Sequence, residues 1–437
     1  MEVNYNEFFK KCFGDEKKEL KEKQIEILKY IIEEKKDCLG ILSTGYGKSI
    51  CYQLPYFILK KTIIVISPLI SLMEDQKNKL KKLKINTCCM NSKLTYKEKK
   101  FYEKEILEGK SMIMYVTPEY FNNNETFIKL LDENNLIGLI AIDECHCIIE
   151  WGYDFRPEYL NLSNIKNWNI NVPILGLTGT ATSDVQNAII EKLNLCNPRI
   201  IKNTFDRNNL NIFTKYIKNP KDMINNIIPL IDENKTIIIY AREKKDTEFI
   251  YTKLKDIIKC KYYHSDIDLD VRYNIQKEFT EGIIKCIIST IAFGMGIDKD
   301  VDMIIHHGLP DCIESYWQEI GRAGRYGKNA DCYLFYTFRD YKIHENNINK
   351  INNDYYKKIK MQKLEEMKKY ANIKYYCKRK QLYIYFKETY PKEYINGCNK
   401  CIYCINKNNT KYYCEYIYKK GKKKGKDWKK RIDNGNK

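Results

Sequence analysis

The 437-residue sequence has no apolar run of the length that a membrane-spanning helix requires. Its longest apolar stretches, such as LIGLIAI at residues 136–142, have the length of buried strands instead. The N-terminal segment MEVNYNEFFKKCFGDEKKEL also lacks the apolar core and the small-residue cleavage site of a secretory signal. We therefore expect an intracellular chain without a membrane partner, nuclear in a eukaryote and otherwise cytoplasmic.

Acidic residues are scarce relative to basic ones: 57 Asp and Glu stand against 76 Lys and Arg, a net charge of +19. A basic surplus favours polyanionic partners, nucleic acid first, because basic side chains on phosphates release counterions. The alternative is a coding bias toward lysine, since Lys, Asn, Ile and Tyr are all abundant, as an AT-rich genome would produce. Charge alone leaves both interpretations open.

The 17 cysteines lack the spacing of a disulfide framework, and most stand singly in apolar contexts, where a reducing compartment leaves them as small buried hydrophobes. The exception is a C-x20-C-x2-C-x2-C group whose C-x2-C turns suit tetrahedral thiolate binding of Zn²⁺. Cys414 is an alternative ligand, and four unrelated free cysteines are the other interpretation. The predicted zinc ligands are Cys377, Cys398, Cys401 and Cys404.

Short β-rich apolar runs alternate with longer helical patterns, which is typical of parallel sheets covered by helices. A second series of such runs follows the first after the stretch RIIKNTFDRNNLNIF at residues 199–213. The sequence therefore predicts an α/β fold with two tandem parallel-sheet lobes that share a layout and no long repeat. The runs are CLGIL, TIIVIS, SMIMYV, LIGLIAID and PILGLT, then KTIIIYA, KCKYYH, KCIIST, VDMIIHH and DCYLFY.

Beyond residue 341 the pattern becomes helical and basic, then cysteine-rich, and KKGKKKGKDWKKR near the C-terminus is almost entirely basic. Such a tail is expected to be disordered until it meets a polyanion; it is either a nonspecific nucleic-acid grip or a solvated, nuclear-targeting segment. We predict a first lobe at residues 1–200, a second at 201–345, a small helical zinc-binding module at 346–410 and the basic tail at 411–437.

A phosphate-binding loop is indicated by STGYGKSI, which follows the strand-like CLGIL and enters a helical pattern. Gly45 and Gly47 let backbone N–H groups close around phosphate, Lys48 reaches the terminal phosphates, and Ser49 ligates Mg²⁺. Leu42 stands where the strict pattern has a further glycine. A chance match is the other interpretation, and the strand–loop–helix setting argues against it.

The apolar run LIGLIAI ends in Asp143 and Glu144, where the ligands of open α/β sheets bind. Asp143 would hold Mg²⁺ and Glu144 would take a proton from the attacking water. Residues 143–147, DECHC, are also a candidate metal cluster by residue type. Side chains at a strand end alternate between faces, however, so we expect that these five do not converge on one zinc.

The stretch ESYWQEIGRAGRYG offers Gln318, Arg322 and Arg325, with the two arginines three apart on one predicted helical face. Placed across a cleft from Lys48, such arginines would stabilise charge on the transferring phosphoryl group. A solvated basic helix end is the other interpretation.

STGYGKS, SPLISLMEDQ, DECH, LTGTAT, ISTIAFGMGIDK and QEIGRAGRYG stand in the order and spacing of superfamily 2 helicase motifs, which this sequence therefore resembles. DECHCIIEWGYDFRPEYL resembles the aromatic-rich loop of RecQ helicases, and TFDRNNL and the terminal cysteines are similar to that family too. The resemblance spans residues 8–404. It implies two RecA-like lobes, ATP, Mg²⁺ and Zn²⁺, and 3′-to-5′ translocation on single-stranded DNA with unwinding of forked duplexes in repair, recombination or replication.

The resemblance also implies roles for single residues. These are adenine reading for Gln24; the nucleotide loop for Thr44, Gly45, Gly47, Lys48 and Ser49; the acid box for Asp143, Glu144 and His146, where the histidine couples hydrolysis to DNA; the aromatic-rich loop for Trp151, Phe155 and Arg156; the motif that links the lobes for Thr178 and Thr180; and the arginine finger for Gln318, Arg322 and Arg325.

The aromatic side chains beside the acid box, Trp151 and Phe155, can stack on bases irrespective of sequence, as a translocase requires. Aromatics of a buried core are the other interpretation. A loop of this kind, in contact with both DNA and the acid box, would gate hydrolysis.

The sequence departs from the family pattern without losing a catalytic group: Lys21 replaces an arginine near the adenine site, Tyr46 a glycine, and Cys145 and Gly179 alanines. We expect weaker nucleotide stacking from the first change. We also expect the chain to lack the winged-helix and further helical domains of longer relatives, since it ends soon after the zinc cysteines. An RNA-directed helicase and a nonhydrolytic DNA-binding or annealing protein are the two rival functions.

Overall fold

The computed structural model describes residues 3–14, 19–151, 157–293 and 299–408. Its strands are β1 (Cys38–Ile41), β2 (Thr62–Ile66), β3 (Thr87–Met90), β4 (Ile113–Val116), β5 (Ile137–Ile142), β6 (Ile174–Thr178), β7 (Arg199–Lys202), β8 (Leu210–Tyr216), β9 (Ile237–Ala241), β10 (Cys260–Tyr263), β11 (Cys286–Ser289), β12 (Met303–His307) and β13 (Ala330–Tyr336).

The helices are α1 (Tyr5–Phe13), α2 (Glu22–Ile32), α3 (Ile50–Leu59), α4 (Ile70–Lys82), α5 (Tyr96–Leu107), α6 (Pro118–Asn123), α7 (Glu125–Glu133), α8 (Cys147–Trp151), α9 (Asn164–Asn167), α10 (Ser183–Lys192), α11 (Met223–Ile227), α12 (Lys244–Leu254), α13 (Leu269–Glu281), α14 (Ile313–Ile320), α15 (Phe338–Asn349), α16 (Asp354–Asn372), α17 (Lys378–Phe386) and α18 (Ile402–Asn408). Short 3-10 turns lie at Pro157–Ser163, Pro220–Asp222, Ile228–Leu230 and Lys392–Tyr394.

The strands form two parallel sheets, one in each predicted lobe. The first has the order β3-β4-β2-β5-β6-β1-β7 and the second the order β10-β11-β9-β12-β13-β8. If the second series is renumbered from its own first strand, its order matches that of the first sheet, to which β7 adds one further edge strand. The expected α/β fold of two tandem lobes with a shared layout is therefore confirmed.

The central strands form because their apolar runs are buried on both faces of each sheet. Every residue of β1, β2 and β4 is buried. Alternate side chains enter different cores: Ile64 and Ile140 belong to one cluster of the first lobe, whereas Ile63 and Leu139 belong to the other. This two-sided burial is what an all-parallel sheet with helices on both faces requires.

Helices begin where side chains can satisfy their first N–H groups. Thr95 and Glu98 form a capping box at the start of α5, and Thr337 and Asp340 form one at α15. Asp268 caps α13, which ends at Gly282 in a left-handed conformation. Local chemistry of this kind fixes where the covering helices begin and end.

The strands β3, β7 and β8 were not expected from the sequence, and all three lie at or beside a sheet edge. The strand β7, with the sequence RIIK, is too short to show an apolar run, and three of its four residues are exposed. The stretch predicted as the junction contains β7 and the first four residues of β8, so it ends one sheet and begins the other.

The C-terminal helices α15 to α18 share a hydrophobic core with the second lobe. Leu364, Met367 and Leu382 belong to the same buried cluster as Leu210 and Leu334 of the second sheet. The open edge of β8 is also covered, because the Ile212 N–H donates to the Lys400 carbonyl (2.8 Å). The expected helical module is therefore built onto the second lobe. In the part of the chain that the structure describes, no helix is both long and apolar enough to cross a bilayer.

Candidate active site

The loop between β1 and α3 carries the predicted nucleotide-binding residues. Gly45 and Gly47 have φ of 82° and 93°, a region that glycine adopts without strain. A Cβ at Gly47 would lie 2.7 Å from Nε2 of Gln24, so this position has no room for a side chain. Leu42, at the position of the missing glycine, is buried and extends the ladder of β1 by donating its N–H to the Thr178 carbonyl (2.9 Å). The departure at Leu42 therefore leaves the glycine turn intact.

Gln24 and Lys21, at the start of α2, hold this loop from outside. Nε2 of Gln24 donates to the carbonyls of Tyr46 (3.1 Å) and Gly47 (2.9 Å), and its Oε1 accepts the Lys21 N–H (2.8 Å). Nζ of Lys21 lies 4.5 Å from the centre of the Tyr46 ring, a cation–π contact. Lys21 and Tyr46, which both depart from the family pattern, thus contact each other. Both N–H groups of the Gln24 amide are thus occupied, so donation to an adenine ring would require the loss of one of these two bonds.

The acid pair lies directly after β5, and both carboxylates are buried, Asp143 at 7% and Glu144 at 9% exposure. Nζ of Lys48 lies 3.6 Å from Oε1 of Glu144, which joins the nucleotide loop to the acid pair. Burial, and next the Glu144 charge, raise the pKa of Asp143. Burial opposes ionisation of Glu144 as well, but Lys48 and then His146 hold its pKa below the usual value. The surroundings therefore favour the ionised form of Glu144 and disfavour that of Asp143, whose charge a bound cation would stabilise.

Glu144 adopts a backbone conformation that residues other than glycine seldom take, with φ of 49°. Its N–H donates to Oδ1 of Asp143 (3.0 Å), and the next residue, Cys145, donates its N–H to the Leu177 carbonyl (2.9 Å). A strained turn of this kind persists when the surrounding structure holds it, and it re-aims a side chain at functional sites.

His146 connects the acid box to the end of β6. Its Nδ1 lies 2.9 Å from Oγ1 of Thr178 and 3.4 Å from Oε2 of Glu144. Thr178 is fully buried, and its hydroxyl donates to the carbonyl of Thr180 (3.2 Å). A Cβ at Gly179 would lie 3.2 Å from Nζ of Lys48, so this loop passes directly beside the nucleotide loop.

The arginine motif does not lie on a helical face, and that prediction is wrong. The helix α14 ends at Ile320, and Arg322 and Arg325 lie in the turn that follows. Gly321 is the C-cap of the helix, and Gly324, directly before Arg325, has φ of 57°, a left-handed conformation within the turn. The two arginines, three residues apart, therefore lie in a turn with two glycines and not on a helix.

This turn nevertheless brings both arginines to the first lobe. Arg322 is buried, its charge is among those that lower the pKa of Glu144, and its Nε has no hydrogen-bond partner among the described residues. A Cβ at Gly45 would lie 3.8 Å from Cγ of Arg325, so the Arg325 stem packs against the glycine turn. Gln318 is half-buried on α14. A buried, incompletely paired guanidinium beside the phosphate loop fits an anionic ligand.

The predicted aromatic-rich loop is only partly described. Trp151 ends α8, which begins directly after the acid box. Phe155 and Arg156 lie outside the described residues. Their predicted contacts with DNA stay predictions.

The four predicted zinc ligands come together in one cluster. The Sγ atoms of Cys377, Cys398, Cys401 and Cys404 all lie within 4.8 Å of one another, and all four residues are buried. A Cβ at Gly397, where φ is 115°, would lie 2.6 Å from Sγ of Cys404, so the turn before the second ligand requires glycine. Four convergent thiolates at this spacing fit tetrahedral Zn²⁺. The alternative ligand, at position 414, lies outside the described residues.

The DECHC stretch at residues 143–147 is not part of this cluster. Residues 143–146 form a turn instead of continuing the strand, so the strand-alternation argument against a metal was wrong in its premise. The group of His, Cys, Asp and Glu side chains that converges among the described residues is the downstream cysteine cluster.

Three family models match the chain. The DEAD/DEAH box helicase model matches residues 21–188, the helicase conserved C-terminal domain matches 219–327, and the RecQ zinc-binding model matches 338–405. The putative ATP-dependent RNA helicase R290 of Acanthamoeba polyphaga mimivirus is 41% identical over 387 residues, which are 87% of this chain and 69% of that protein.

The chain belongs to the RecQ family of helicases. The bifunctional 3'-5' exonuclease/ATP-dependent helicase WRN of Mus musculus is 33% identical over 89% of this chain and 29% of its own length. The ATP-dependent DNA helicase RecQ of Haemophilus influenzae is 34% identical over 85% of this chain and 59% of its own length. This RecQ chain thus spans less than two thirds of both of these relatives.

Solved helicases have the same fold. The DUF1998 helicase MrfA bound to DNA has a TM-score of 0.62 at 18% identity, over 77% of this chain and 51% of that one. Saccharomyces cerevisiae Dbp5 bound to RNA and ADP BeF3 has a TM-score of 0.59 at 16% identity, over 82% and 97%. The expected pair of helicase lobes with a RecQ zinc module is confirmed, and its cofactors are ATP, Mg²⁺ and Zn²⁺.

Sequence reasoning missed two residues that join this RecQ site to the junction between its lobes. Asn203 accepts the Ser43 N–H at its Oδ1 (2.9 Å) and donates through Nδ2 to Oγ of Ser43 (3.0 Å). Arg207 donates to the Thr44 carbonyl (3.2 Å). The family-like stretch TFDRNNL was the available signal, but it carries no recognisable chemical motif of its own.

Proposed function

We propose that this chain is an ATP-dependent DNA helicase of RecQ type that couples ATP hydrolysis to 3′-to-5′ translocation on single-stranded DNA and to duplex unwinding, in DNA repair, recombination or replication. The observation that carries the proposal is the meeting of two lobes at one nucleotide loop. Lys48 contacts the acid pair on one side, and the turn bearing Arg322 and Arg325 lies on the other.

Nucleotide binding in this proposal rests on the first lobe. The glycine turn and Lys48 cradle the phosphates, Ser49 holds Mg²⁺ together with Asp143, and Gln24 reads the adenine. Ser49 makes no side-chain capping bond to α3, so its hydroxyl is available to a metal. A Mg²⁺ ion held by these two residues would supply charge neutralisation for the phosphates.

Hydrolysis rests on both lobes. Glu144, whose pKa is lowered by Lys48 and His146 against the effect of burial, accepts a proton from the attacking water. Arg322 and Arg325 approach from the second lobe and stabilise the charge that develops on the transferring phosphoryl group. Relative motion of the lobes then changes hydrolysis, because the arginines and the acid pair belong to different sheets.

Coupling to DNA rests on His146, Thr178 and Thr180, with Trp151, Phe155 and Arg156 as the DNA-sensing loop. The buried bond between His146 and Thr178 supports this role, since it joins the acid box to the end of β6, directly before the loop that carries Thr180. Aromatic side chains stack on bases without sequence preference.

A DNA substrate is supported by the RecQ zinc-binding match and by the relatives named as DNA helicases. The net charge of +19 suits either nucleic acid. RNA unwinding is a second candidate, because the mimivirus relative is named a putative RNA helicase. A nonhydrolytic DNA-binding or annealing protein is disfavoured, since Lys48, Asp143, Glu144 and Arg325 are all present.

The proposed domain limits are those expected from the sequence: lobes at residues 1–200 and 201–345, a module at 346–410 and a tail at 411–437. The first two limits fall in β7 and α15. We also propose an intracellular location, nuclear in a eukaryote and otherwise cytoplasmic, as access to DNA requires.

The test is ATP-dependent unwinding of one duplex prepared with a 3′ tail, with a 5′ tail, or as an RNA duplex with a 3′ tail. We expect the 3′-tailed DNA to unwind fastest, and Lys48→Ala to abolish unwinding with ATP. Preference for the 5′ tail would overturn the direction, preference for RNA would support the second candidate, and full unwinding by Lys48→Ala would favour a nonhydrolytic protein.

A further inference from the structure

A single guanidinium, that of Arg207, bridges the two lobes. Arg207 lies in the linker between β7 and β8. Its Nη1 donates to the carbonyls of Thr44 (3.2 Å) in the nucleotide loop and Gly321 (3.0 Å) at the end of α14. Its Nη2 donates to the carbonyls of Ala323 (2.9 Å) and Gly324 (2.6 Å). One side chain therefore holds the nucleotide loop and the arginine turn together.

Every N–H group of Arg207 has a hydrogen-bond acceptor. A guanidinium has five N–H groups, and the fifth, on Nε, donates to Oδ1 of Asn209 (3.4 Å). No donor is left for a phosphate oxygen while the bridge stands. Arg207 is thus distinct in role from Arg322, whose Nε is buried without a hydrogen-bond partner among the described residues.

The end of α14 explains why a guanidinium suits this place. The last carbonyls of a helix have no partner within it, and they carry the negative end of the helix dipole. Gly321 is the C-cap of α14, so its carbonyl lies at this end, and the Ala323 and Gly324 carbonyls follow in the turn that carries Arg322. A planar cation with forked donors satisfies several such carbonyls at once, which a lysine ammonium cannot do in the same geometry.

The two lobes are in contact at this point, so a small displacement of the arginine turn changes its position relative to the nucleotide loop. A Cβ at Gly321 would lie 3.2 Å from Cβ of Thr44, and one at Gly45 would lie 3.8 Å from Nη1 of Arg207. Arg322 and Arg325 are therefore positioned relative to the nucleotide loop through backbone that Arg207 holds.

The zinc module holds Arg207 in turn. Arg379, only two residues after Cys377, is fully buried and forms an ion pair with Asp206. It also donates to the carbonyls of Arg207 (3.0 Å) and Leu210 (2.7 Å). The linker backbone is thus fixed by the module on both sides of the Arg207 side chain.

Two tyrosines of the same module complete this attachment. The hydroxyls of Tyr383 and Tyr394 donate to Oδ2 of Asp206, at 3.0 Å and 3.2 Å. Asp206 therefore accepts from three side chains of the module, and Arg207, its neighbour, contacts both lobes.

We propose that Arg207 is a positioning residue for ATP hydrolysis, which aligns the arginine turn with the nucleotide loop, and that the zinc module sets its position through Arg379 and Asp206. This inference rests on the proposed ATPase function. It assigns the module an effect on hydrolysis that does not require DNA.

The first test compares Arg207→Ala and Arg207→Lys with Arg339→Ala, which removes an exposed arginine of α15. We expect both Arg207 variants to lose roughly tenfold to a hundredfold in kcat without DNA, because misalignment of catalytic groups has costs of that size. Equilibrium binding of a fluorescent ATP analogue and zinc content should stay near wild type, since Lys48 and the cysteines are untouched.

The second test asks whether the module acts through Arg207. Zinc removal, and separately Tyr394→Phe, should lower kcat in the wild type and change it much less in Arg207→Ala, because effects along one path are not additive. Additive losses, or Arg207 variants with unchanged kcat, would overturn the inference. A wild-type chain without ATP hydrolysis would instead overturn the proposed function.

Discussion

Nδ1 of His146 lies 2.9 Å from Oγ1 of Thr178, so the acid box after β5 and the last residue of β6 share a buried hydrogen bond. The same ring nitrogen lies 3.4 Å from Oε2 of Glu144. A shift of the loop after β6 therefore reaches the proposed catalytic base through one imidazole.

Thr178→Val should uncouple hydrolysis from DNA. The substitution keeps the shape of the side chain but removes the hydroxyl, a buried bond that contributes about 1 kcal/mol. We expect DNA-stimulated ATPase to fall several-fold more than basal ATPase, as measured with and without single-stranded DNA. Thr178→Ser, which retains the hydroxyl, is the control. Equal losses in both assays would mean that the bond is only structural.

Glu144→Gln should separate ATP binding from hydrolysis. The amide has the same shape but cannot accept the proton of the attacking water, so kcat should fall by about 10²- to 10⁴-fold. ATP-analogue affinity should change little, because Lys48 and the glycine turn remain. Steady-state hydrolysis and fluorescence binding measure the two effects, with Glu133→Gln on the exposed face of α7 as the control. Retained turnover would assign the base to another residue.

Lys21 offers a test of the nucleotide-stacking expectation. Its ammonium lies over the Tyr46 ring, and burial and then Arg207 lower its pKa. Lys21→Arg should tighten ATP-analogue binding by about two- to fivefold, because a planar guanidinium stacks on aromatic rings and cation–π contacts contribute roughly 0.5–1 kcal/mol. Lys21→Ala should weaken it. Weaker binding of the ATP analogue by Lys21→Arg would contradict the expectation and would indicate that the contact between Lys21 and Tyr46 supports binding better than arginine does.

The central strands could be predicted because two-sided burial leaves an apolar run in the sequence. The strands β3, β7 and β8 could not, since strands at a sheet edge are stabilised by pairing and leave little pattern in the sequence. The arginine motif shows a second limit. Spacing of three fits both a helical face and a turn, and only the structure shows that α14 ends at Ile320 and that Gly324 has a left-handed conformation.

The site could be predicted where its chemistry is contiguous in the chain. The nucleotide loop, the acid pair and the C-x2-C turns each carry their chemistry within a few residues. Arg207 and Asn203 make contacts more than a hundred residues away, with Gly321 and Ser43. Only the fold brings these partners together, so neither residue could be recognised by spacing.

Zinc removal should destabilise the second lobe more than the first. Cys401 lies on the bridge that covers the edge of β8 at Ile212, and the four cysteines belong to the core cluster of that lobe. Loss of the metal leaves four buried thiols close together and frees this edge. We expect the amide of Ile212 to lose at least about tenfold of its hydrogen-exchange protection on chelation, as local opening becomes easier. The amide of Ile63 in β2 should keep its protection.

Hydrogen exchange read by mass spectrometry separates the two lobes in one sample, and zinc content is measured alongside. Cys404→Ser should reproduce the effect of the chelator, because it removes one ligand from the cluster. Cys196→Ser is the matched control, since that cysteine is exposed and belongs to the first lobe. Equal loss of protection at Ile212 and Ile63 would mean that zinc supports the whole chain. Unchanged protection of both amides would show that the metal has no structural role in either lobe.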